Sequence, residues 1–279
     1  MPRASADPFA HPASQREQRV LARADAYRTV MGRDAFFSHT TAALLWGLPL
    51  PPLSDDDVHV AVLAPSRAPA GRGVRGHQLH RRGVRVVESE TGVRLVDPAT
   101  TWSLLGSRLR HPYDLVAVGD AIVSPVRIAG PRGGVVRDAL ASMEDLGRVV
   151  EAVNKRRGIV AVREALPRVR SGVRSRTESW TRLTLVDGGL PEPVLNHDVY
   201  DGARFVACVD LAYPDQRVGV EYEGDQHRTD PAQWQRDLER YERLAAAGWR
   251  TVRVTRDVLF QRPGLLVRLV ADACGARGH

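Results

Sequence analysis

The chain has 279 residues, 43% hydrophobic and 26% charged, and is long enough to bury one large core or two ordinary ones. No stretch approaches the roughly 18 apolar residues that span a bilayer, and residues 1–18 contain no apolar run of signal-peptide type. These features argue against membrane-spanning and exported classes, so we expect a cytoplasmic protein without a membrane partner. Two cysteines, Cys208 and Cys274, are too few for a disulfide framework or a zinc site of their own.

The net charge of +7 is distributed unevenly along the chain. Residues 171–279 contain 15 arginines against 16 aspartates and glutamates, which leaves 25 basic and 17 acidic residues in 1–170. The basic residues are almost all arginine, a bias that is also typical of GC-rich coding. The first part of the chain therefore has the excess positive charge that would attract a polyanion such as DNA, while the later part concentrates carboxylates.

Residues 1–125 are predicted to form an α+β domain. Ser38 stands at an N-cap position before a short buried helix that Gly47 ends, and Asp97-Pro98 opens another helix. The alternation of apolar and polar residues in 57–63 predicts a strand. Predicted helices cover 15–31, 39–46, 98–105 and 113–122, and predicted strands cover 57–63, 74–80, 84–87 and 93–96.

Residues 126–174 are predicted to be a linker followed by a helical segment. The sequence IAGPRGG at 128–134 has the composition of a linker. Apolar residues at helical spacing follow through 136–168, and Ser171-Gly172 ends them. We expect the second domain to begin at residue 175.

From residue 175 to 279 the pattern is a helix, three strands, a helix, a strand and a final helix. Predicted helices cover 175–187, 231–247 and 265–273, and predicted strands cover 194–200, 204–211, 218–223 and 250–255. The spacing of Trp234, Leu238, Tyr241 and Leu244 predicts the buried stripe of the second helix.

Two carboxylates stand in strands that are otherwise apolar, Asp210 in FVACVDLAYP and Glu221 in RVGVEYEGDQH. Because side chains alternate along a strand, Glu221 and Glu223 should share the face opposite Val218 and Val220. Burying unpaired carboxylates is costly, so their presence calls for a cation or for solvent. Oxygen ligands that converge on a hard divalent cation are what metal-dependent phosphodiester hydrolysis requires. Exposed strand ends are the alternative explanation for either residue alone.

Residues 175–273 resemble the Vsr-like nucleases of the PD-(D/E)XK superfamily, and most closely their small endonuclease-like domains of the DUF559 type. The resemblance rests on SRTESWTRLTLVDGGLPEP and on VDLAYPDQRVGVEYEGDQHRTDPAQWQRDLERYERLAAAGWRTVRVT. It implies an α/β nuclease-like domain whose mixed sheet is flanked by helices, with a carboxylate cluster at one end of the sheet. It also implies DNA as the substrate and Mg²⁺ or Mn²⁺ as the cofactor.

The resemblance implies roles for individual residues of this chain. Asp210 matches the metal-binding aspartate of the first motif strand, and Glu221 matches the glutamate of the E-x-K strand. Glu178 matches the acidic residue of the preceding helix, although Ser175-Arg-Thr-Glu178 is also a capping box.

The chain departs from the superfamily pattern at Glu223, which stands where a lysine is usual. Either Glu223 is a further ligand or base, or Gln226 or His227 supplies the missing function. Asp237 and Arg240 match a D-x-x-R feature of the resembling domains, and an ordinary ion pair on the helix surface is the alternative.

The first domain resembles the middle part of AbiEi-type antitoxin proteins in SHTTAALLWGLPLP, in the strand that contains His59 and in DPATTW. His77 and His80 suggest a metal pair but lack an acidic or cysteine partner at ligand spacing, so we expect no site there. Several arginines are candidates for phosphate contacts, with a solvated charged face as the alternative. These candidates are Arg72, Arg75, Arg81, Arg82 and Arg85.

The resulting hypothesis is a metal-dependent DNA endonuclease that acts in DNA repair or phage defence, with Asp210 and Glu221 as metal ligands. One alternative is a non-catalytic DNA-binding regulator of AbiEi antitoxin type with a degenerate nuclease fold. Another is a protein-interaction module of a defence system. The sequence predicts neither the oligomeric state nor the DNA structure recognised.

Overall fold

The structure is a computed structural model that describes residues 12–89, 91–131, 133–173, 175–223 and 231–275. It divides into two compact units, the first formed by the chain up to Val123 with Leu140–Val169, and the second by Ser124–Ala139 with the chain from Arg170 onward. Each unit contains a mixed sheet flanked by helices. No described helix is both long enough and apolar enough to cross a membrane.

The elements follow one another in this order: α1 (Pro12–Arg28), β1 (Phe36–Phe37), α2 (His39–Leu45), β2 (Val58–Leu63), β3 (Val74–Leu79), β4 (Val86–Glu88), β5 (Arg94–Val96), α3 (Pro98–Leu105), α4 (Pro112–Val123), β6 (Val126–Arg127), β7 (Val135–Arg137), α5 (Met143–Ala152), α6 (Ile159–Ala165), α7 (Arg176–Asp187), β8 (Val194–Asp201), β9 (Arg204–Tyr213), β10 (Val218–Glu223), α8 (Pro231–Ala246), β11 (Arg250–Thr255), α9 (Arg256–Gln261) and α10 (Pro263–Gly275). A short 3-10 turn, Leu166–Arg168, follows α6.

The sheet of the first unit has the strand order β3-β2-β1-β5-β4. Strand β2 runs parallel to β3 and antiparallel to β1, and β1 runs parallel to β5. One face buries Phe37 and Val60 with Ala24 of α1, and the other buries Phe36 with Ala42 of α2. Both faces are covered by helices, so a polar side chain in the middle of the sheet, such as His59 of β2, is buried.

Two predictions for the middle of the chain were wrong. The stretch read as a linker contains the hairpin β6–β7, and the Gly130 N–H donates to the Asp198 carboxylate at 3.3 Å within the second unit. The helical stretch 136–168 is interrupted between α5 and α6. Gly158 there has φ +82 and lies so close to Gly106 that no Cβ would fit. A side chain at residue 158 would therefore separate the two backbones.

The sheet of the second unit has the strand order β11-β10-β9-β8. Strands β8, β9 and β10 form an antiparallel meander, and β11 returns parallel to β10 after α8. One face packs Val218 and Val220 against α7 and α10, as the alternation predicted. The other face packs Val209 against Leu244 of α8. A three-layer arrangement results, with the sheet between helices.

The predicted stripe on α8 is correct only in part. Leu244 is fully buried and Tyr241 packs against the same cluster, but Leu238 is 43% exposed. Trp234 lies in the part of the helix whose side chains the structure does not describe. Helix α9 was missed because its six residues are too few to show a helical period.

Candidate functional site

The carboxyl end of β10 brings the predicted acidic residues to the face covered by α8. In the register of the sheet Val220 pairs with Leu211 of β9, so Asp210 and Glu221 occupy the next positions on neighbouring strands. Glu221 pairs on its other side with Arg253 of β11. The charges of both Glu221 and Asp210 act on Arg240 of α8, so the two carboxylates face a common cation.

Glu221 is 4% exposed, and Arg240 of α8 holds it through both oxygens. The Arg240 Nη1 donates to Oε2 at 2.6 Å, and Nη2 donates to Oε1 and to the backbone carbonyl of Cys208 at 2.7 Å. A planar guanidinium with two parallel bonds to a carboxylate is the strongest common form of ion pair. Arg240 thus compensates the buried charge of Glu221.

The local electrostatics follow from this pair. Burial alone would lower the pKa of Arg240, but the hydrogen bonds and charge of Glu221, together with the charge of Asp210, raise it above its ordinary value. Burial also raises the pKa of the Tyr241 hydroxyl, and the charge of Glu221 adds to that effect. Arg240 is therefore a permanent cation, and Tyr241 stays protonated at neutral pH.

Glu223 is also paired with an arginine. Its Oε1 accepts from Arg253 Nη1 at 3.0 Å, and the pair is partly exposed. Arg253 lies across the sheet from Glu221 and packs over the Tyr241 ring at 5.5 Å. Each of the two glutamates on this face consequently has an arginine partner.

Glu178 lies in the first turn of α7 and is 8% exposed. Its backbone N–H donates to the Ser175 hydroxyl at 3.2 Å, which is one half of the predicted capping box. The predicted roles of Gln226 and His227 fall outside the described residues. Arg240, the second residue of the D-x-x-R feature, points inward to Glu221.

A group of side chains that the sequence did not predict as a site lies in the first unit. His39, His59 and His77 offer ring nitrogens that all lie within 4.8 Å of one another. Among the described residues this is the one group of three or more His, Cys, Asp or Glu side chains close enough to share a metal ion. The histidines are 20 and 18 positions apart in sequence, so only the fold brings them together.

The predicted phosphate-binding arginines differ in their surroundings. Arg75 pairs with Asp57 at 3.1 Å and with Asp55 at 3.5 Å, so its charge is already compensated. The other four are exposed: Arg72, Arg81, Arg82 and Arg85.

Two curated proteins of Mycobacterium tuberculosis are similar to this chain along most of its length. They are the uncharacterized protein MT2308 of strain CDC 1551 / Oshkosh and the uncharacterized protein Rv2248 of strain ATCC 25618 / H37Rv. Each is 30% identical over 260 residues, which cover 91% of this chain and 87% of the relative. The chain belongs to their family. No family model matches it, and no solved structure does. The match is long enough to include residues of both units.

A basic pocket adjoins the exposed arginines of the first unit. It has a volume of about 520 Å³, and Arg82, Lys155 and Arg157 line it together with His80. Arg156, also in its wall, donates to the Ser103 hydroxyl at 2.6 Å and to the Gly83 carbonyl at 3.1 Å. Basic side chains from two segments therefore converge where the arginine cluster was predicted.

Reversing charge in this cluster tests whether it contacts DNA. We expect Arg81→Glu with Arg82→Glu to weaken binding to a duplex and to lower the salt dependence of the affinity, because each lost phosphate contact removes about 0.9 from the log–log slope. Arg33→Glu with Arg110→Glu, which makes the same charge change at other positions of the first unit, is the matched control. Equal weakening by both pairs would show that only net charge matters.

Proposed function

We propose that the second unit is a divalent-metal-dependent deoxyribonuclease domain of the PD-(D/E)XK type, which hydrolyses phosphodiester bonds. The proposal extends to the chain as a whole, whose first unit would place the nuclease on DNA. One observation carries it: Glu221 and Asp210 follow the paired residues Val220 and Leu211 on neighbouring strands, and the charges of both act on Arg240 of α8.

The order of elements adds support. A helix, three antiparallel strands, a helix and a parallel strand follow one another from α7 to β11. They form a mixed sheet flanked by helices, which is what the resemblance to the superfamily implies. The acidic residues stand at the positions where its motif residues would be.

The donor set fits a hard cation in type. Asp210, Glu221 and Glu223 offer carboxylate oxygens, the ligands that Mg²⁺ and Mn²⁺ prefer. Such an ion, when bound by Asp210 and Glu221, supplies charge to a phosphate and acidity to a water molecule. Arg240 must release at least one oxygen of Glu221 for this to happen.

The bidentate contact of Arg240 with Glu221 also supports the alternative. In a degenerate nuclease fold an arginine would replace the cation permanently, and the unit would serve a DNA-binding regulator of antitoxin type. The two functions differ in whether a divalent ion competes successfully with Arg240. They make opposite predictions for cleavage and the same prediction for DNA binding.

The experiment is a cleavage assay with the full-length protein. Single-stranded, duplex and mismatched DNA are incubated with Mg²⁺, with Mn²⁺ or with EDTA, and products are separated on denaturing gels. We expect cleavage of at least one substrate with a divalent ion and none with EDTA. Salt-sensitive binding without cleavage of any substrate would favour the regulator, and absence of binding would favour the protein-interaction module.

Glu223 provides a prediction at the position of the missing lysine. We expect Glu223→Gln to lower the cleavage rate at least tenfold, because the amide cannot act as a base and its neutral oxygen is a weaker ligand for a divalent cation than a carboxylate. Arg253→Gln removes the partner of Glu223 and its contact with the Tyr241 ring but leaves the carboxylate in place, and it should retain most activity. Full activity in Glu223→Gln would make Glu223 a bystander and leave Gln226 and His227 as the candidates.

A further inference from the structure

Three histidines meet inside the first unit, from three elements that are adjacent in the fold. His39 is the first residue of α2, His59 lies in β2 and His77 lies in β3. The parallel register pairs His77 with Ala61, two residues beyond His59, so both histidines project from the same face of the sheet. The Ser38 N–H donates to the His59 carbonyl at 3.0 Å and fixes His39 above that face.

The rings are in direct contact. His59 Nδ1 lies 3.0 Å from His77 Nε2, and the centroids of His39 and His77 are 3.9 Å apart. Three nitrogens bound tetrahedrally to one zinc ion at about 2.0–2.1 Å lie about 3.4 Å from one another. In this structure one nitrogen from each ring lies within 4.8 Å of the other two, so rotations of the side chains are needed to reach that arrangement.

The backbone and the hydrogen bonds hold this arrangement in place. His39 has φ +48, a left-handed conformation that is uncommon for residues other than glycine and clusters at functional sites. The Ser38 hydroxyl lies 3.0 Å from His39 Nδ1, and the His59 N–H donates to the Thr41 hydroxyl at 2.8 Å. A partner at Nδ1 leaves the other nitrogen of His39 available as a ligand.

The cluster is not a satisfied hydrogen-bond network. His59 is fully buried, and its Nε2 has no hydrogen-bond partner among the described atoms. Buried polar networks that serve packing alone are normally satisfied throughout, so an orphaned nitrogen beside two further imidazoles points to a ligand.

The protonation state of the cluster suits a metal. Burial, with the charges of neighbouring groups, lowers the pKa of His59 to about 3 and that of His77 to about 4, and it lowers the pKa of His39. Burial thus favours the neutral imidazole, which is the form in which histidine binds a metal.

The fixed charges around the cluster limit its affinity. The cations of Arg75, Arg108 and Arg156 face it, and the carboxylate of Asp55 is the opposing charge. Arg75 and Arg108 are each paired with Asp55 at 3.5 Å. The excess of positive charge should make binding weaker than in closed structural zinc sites.

We propose that His39, His59 and His77 bind one transition-metal ion of the zinc class, with a fourth coordination position open to solvent at His77. Three imidazole nitrogens suit Zn²⁺, Co²⁺, Ni²⁺ and Cu²⁺ rather than Mg²⁺. His39 and His59 are buried and His77 is partly exposed, so water reaches the ion from the side of β3. The site is separate from the carboxylates of the second unit and does not rest on nuclease activity.

The test uses chelator-treated full-length protein and Zn²⁺ alone. We expect one equivalent of zinc per chain by elemental analysis after dialysis and a rise in melting temperature with zinc that His77→Ala loses, whereas Mg²⁺ should affect wild type and His77→Ala equally. His77→Ala should weaken zinc binding at least tenfold. His80→Ala removes an exposed histidine three residues away and should bind as wild type does.

Two further measurements separate coordination from folding. His39→Gly should also lose zinc, at a position where glycine adopts the backbone conformation without strain. Co²⁺ should give the visible absorption of a tetrahedral complex in wild type and lose it in His77→Ala. Absence of zinc binding by wild type, or binding that survives both His77→Ala and His39→Gly, would overturn the proposal.

Discussion

Replacing Arg240 with alanine is expected to lower the free energy of unfolding by about 3–5 kcal/mol, because it leaves the buried carboxylate of Glu221 without its partner. Glu221 is 4% exposed, and its two oxygens are bound by the two guanidinium nitrogens. Desolvation of an uncompensated charge costs more than the pair itself contributes, so the loss should exceed that of a surface ion pair. Chemical denaturation of the full-length protein measures it.

The control lies one turn further along the same helix. Arg243 is exposed, and its side chain donates only to the backbone carbonyl of Glu239 among the hydrogen bonds described, at 3.3 Å. Arg243→Ala should change the unfolding free energy by less than about 0.5 kcal/mol. Adding Glu221→Gln to Arg240→Ala should recover part of the loss, since it removes the charge that Arg240 compensates. A loss in Arg240→Ala no larger than that in Arg243→Ala would contradict the account.

The same variant bears on the choice between nuclease and regulator. If a cation competes with Arg240 for Glu221, divalent ions should stabilise Arg240→Ala more than they stabilise the wild type. If the arginine replaces the cation, Mg²⁺ and Mn²⁺ should leave the melting temperature of the wild type unchanged.

The elements that carry the strongest local signals were predicted well from the sequence. Pro98 opens α3 behind Asp97, whose carboxylate accepts from the Thr100 N–H at 2.8 Å. The alternation in β10 correctly assigned Val218 and Val220 to the core face, because a strand has only two faces. Helix caps and strand alternation depend only on a few neighbouring residues, so the sequence alone shows them.

Features that depend on contacts between distant segments could not be predicted in the same way. The hairpin β6–β7 has exposed strands of two and three residues, which give no apolar alternation. The histidine cluster joins residues from α2, β2 and β3, and His80, paired with His77 in the sequence-based reading, is exposed. The sequence did not show that Arg240 points inward. Its three-residue spacing from Asp237 is the same whether the arginine forms an ion pair on the helix surface or contacts Glu221.

The most direct test of the proposed function compares two aspartates of the β9–β10 hairpin in the cleavage assay. The charge of Asp210 acts on Arg240, the partner of Glu221, whereas Asp215 is exposed in the turn between the strands. Asn has nearly the same shape as Asp but no charge, so each substitution removes a carboxylate with little change in packing. We expect Asp210→Asn to reduce Mn²⁺-dependent cleavage at least about 100-fold, as loss of a direct metal ligand should, and Asp215→Asn to leave it unchanged. Cleavage by Asp210→Asn at the wild-type rate would contradict the account.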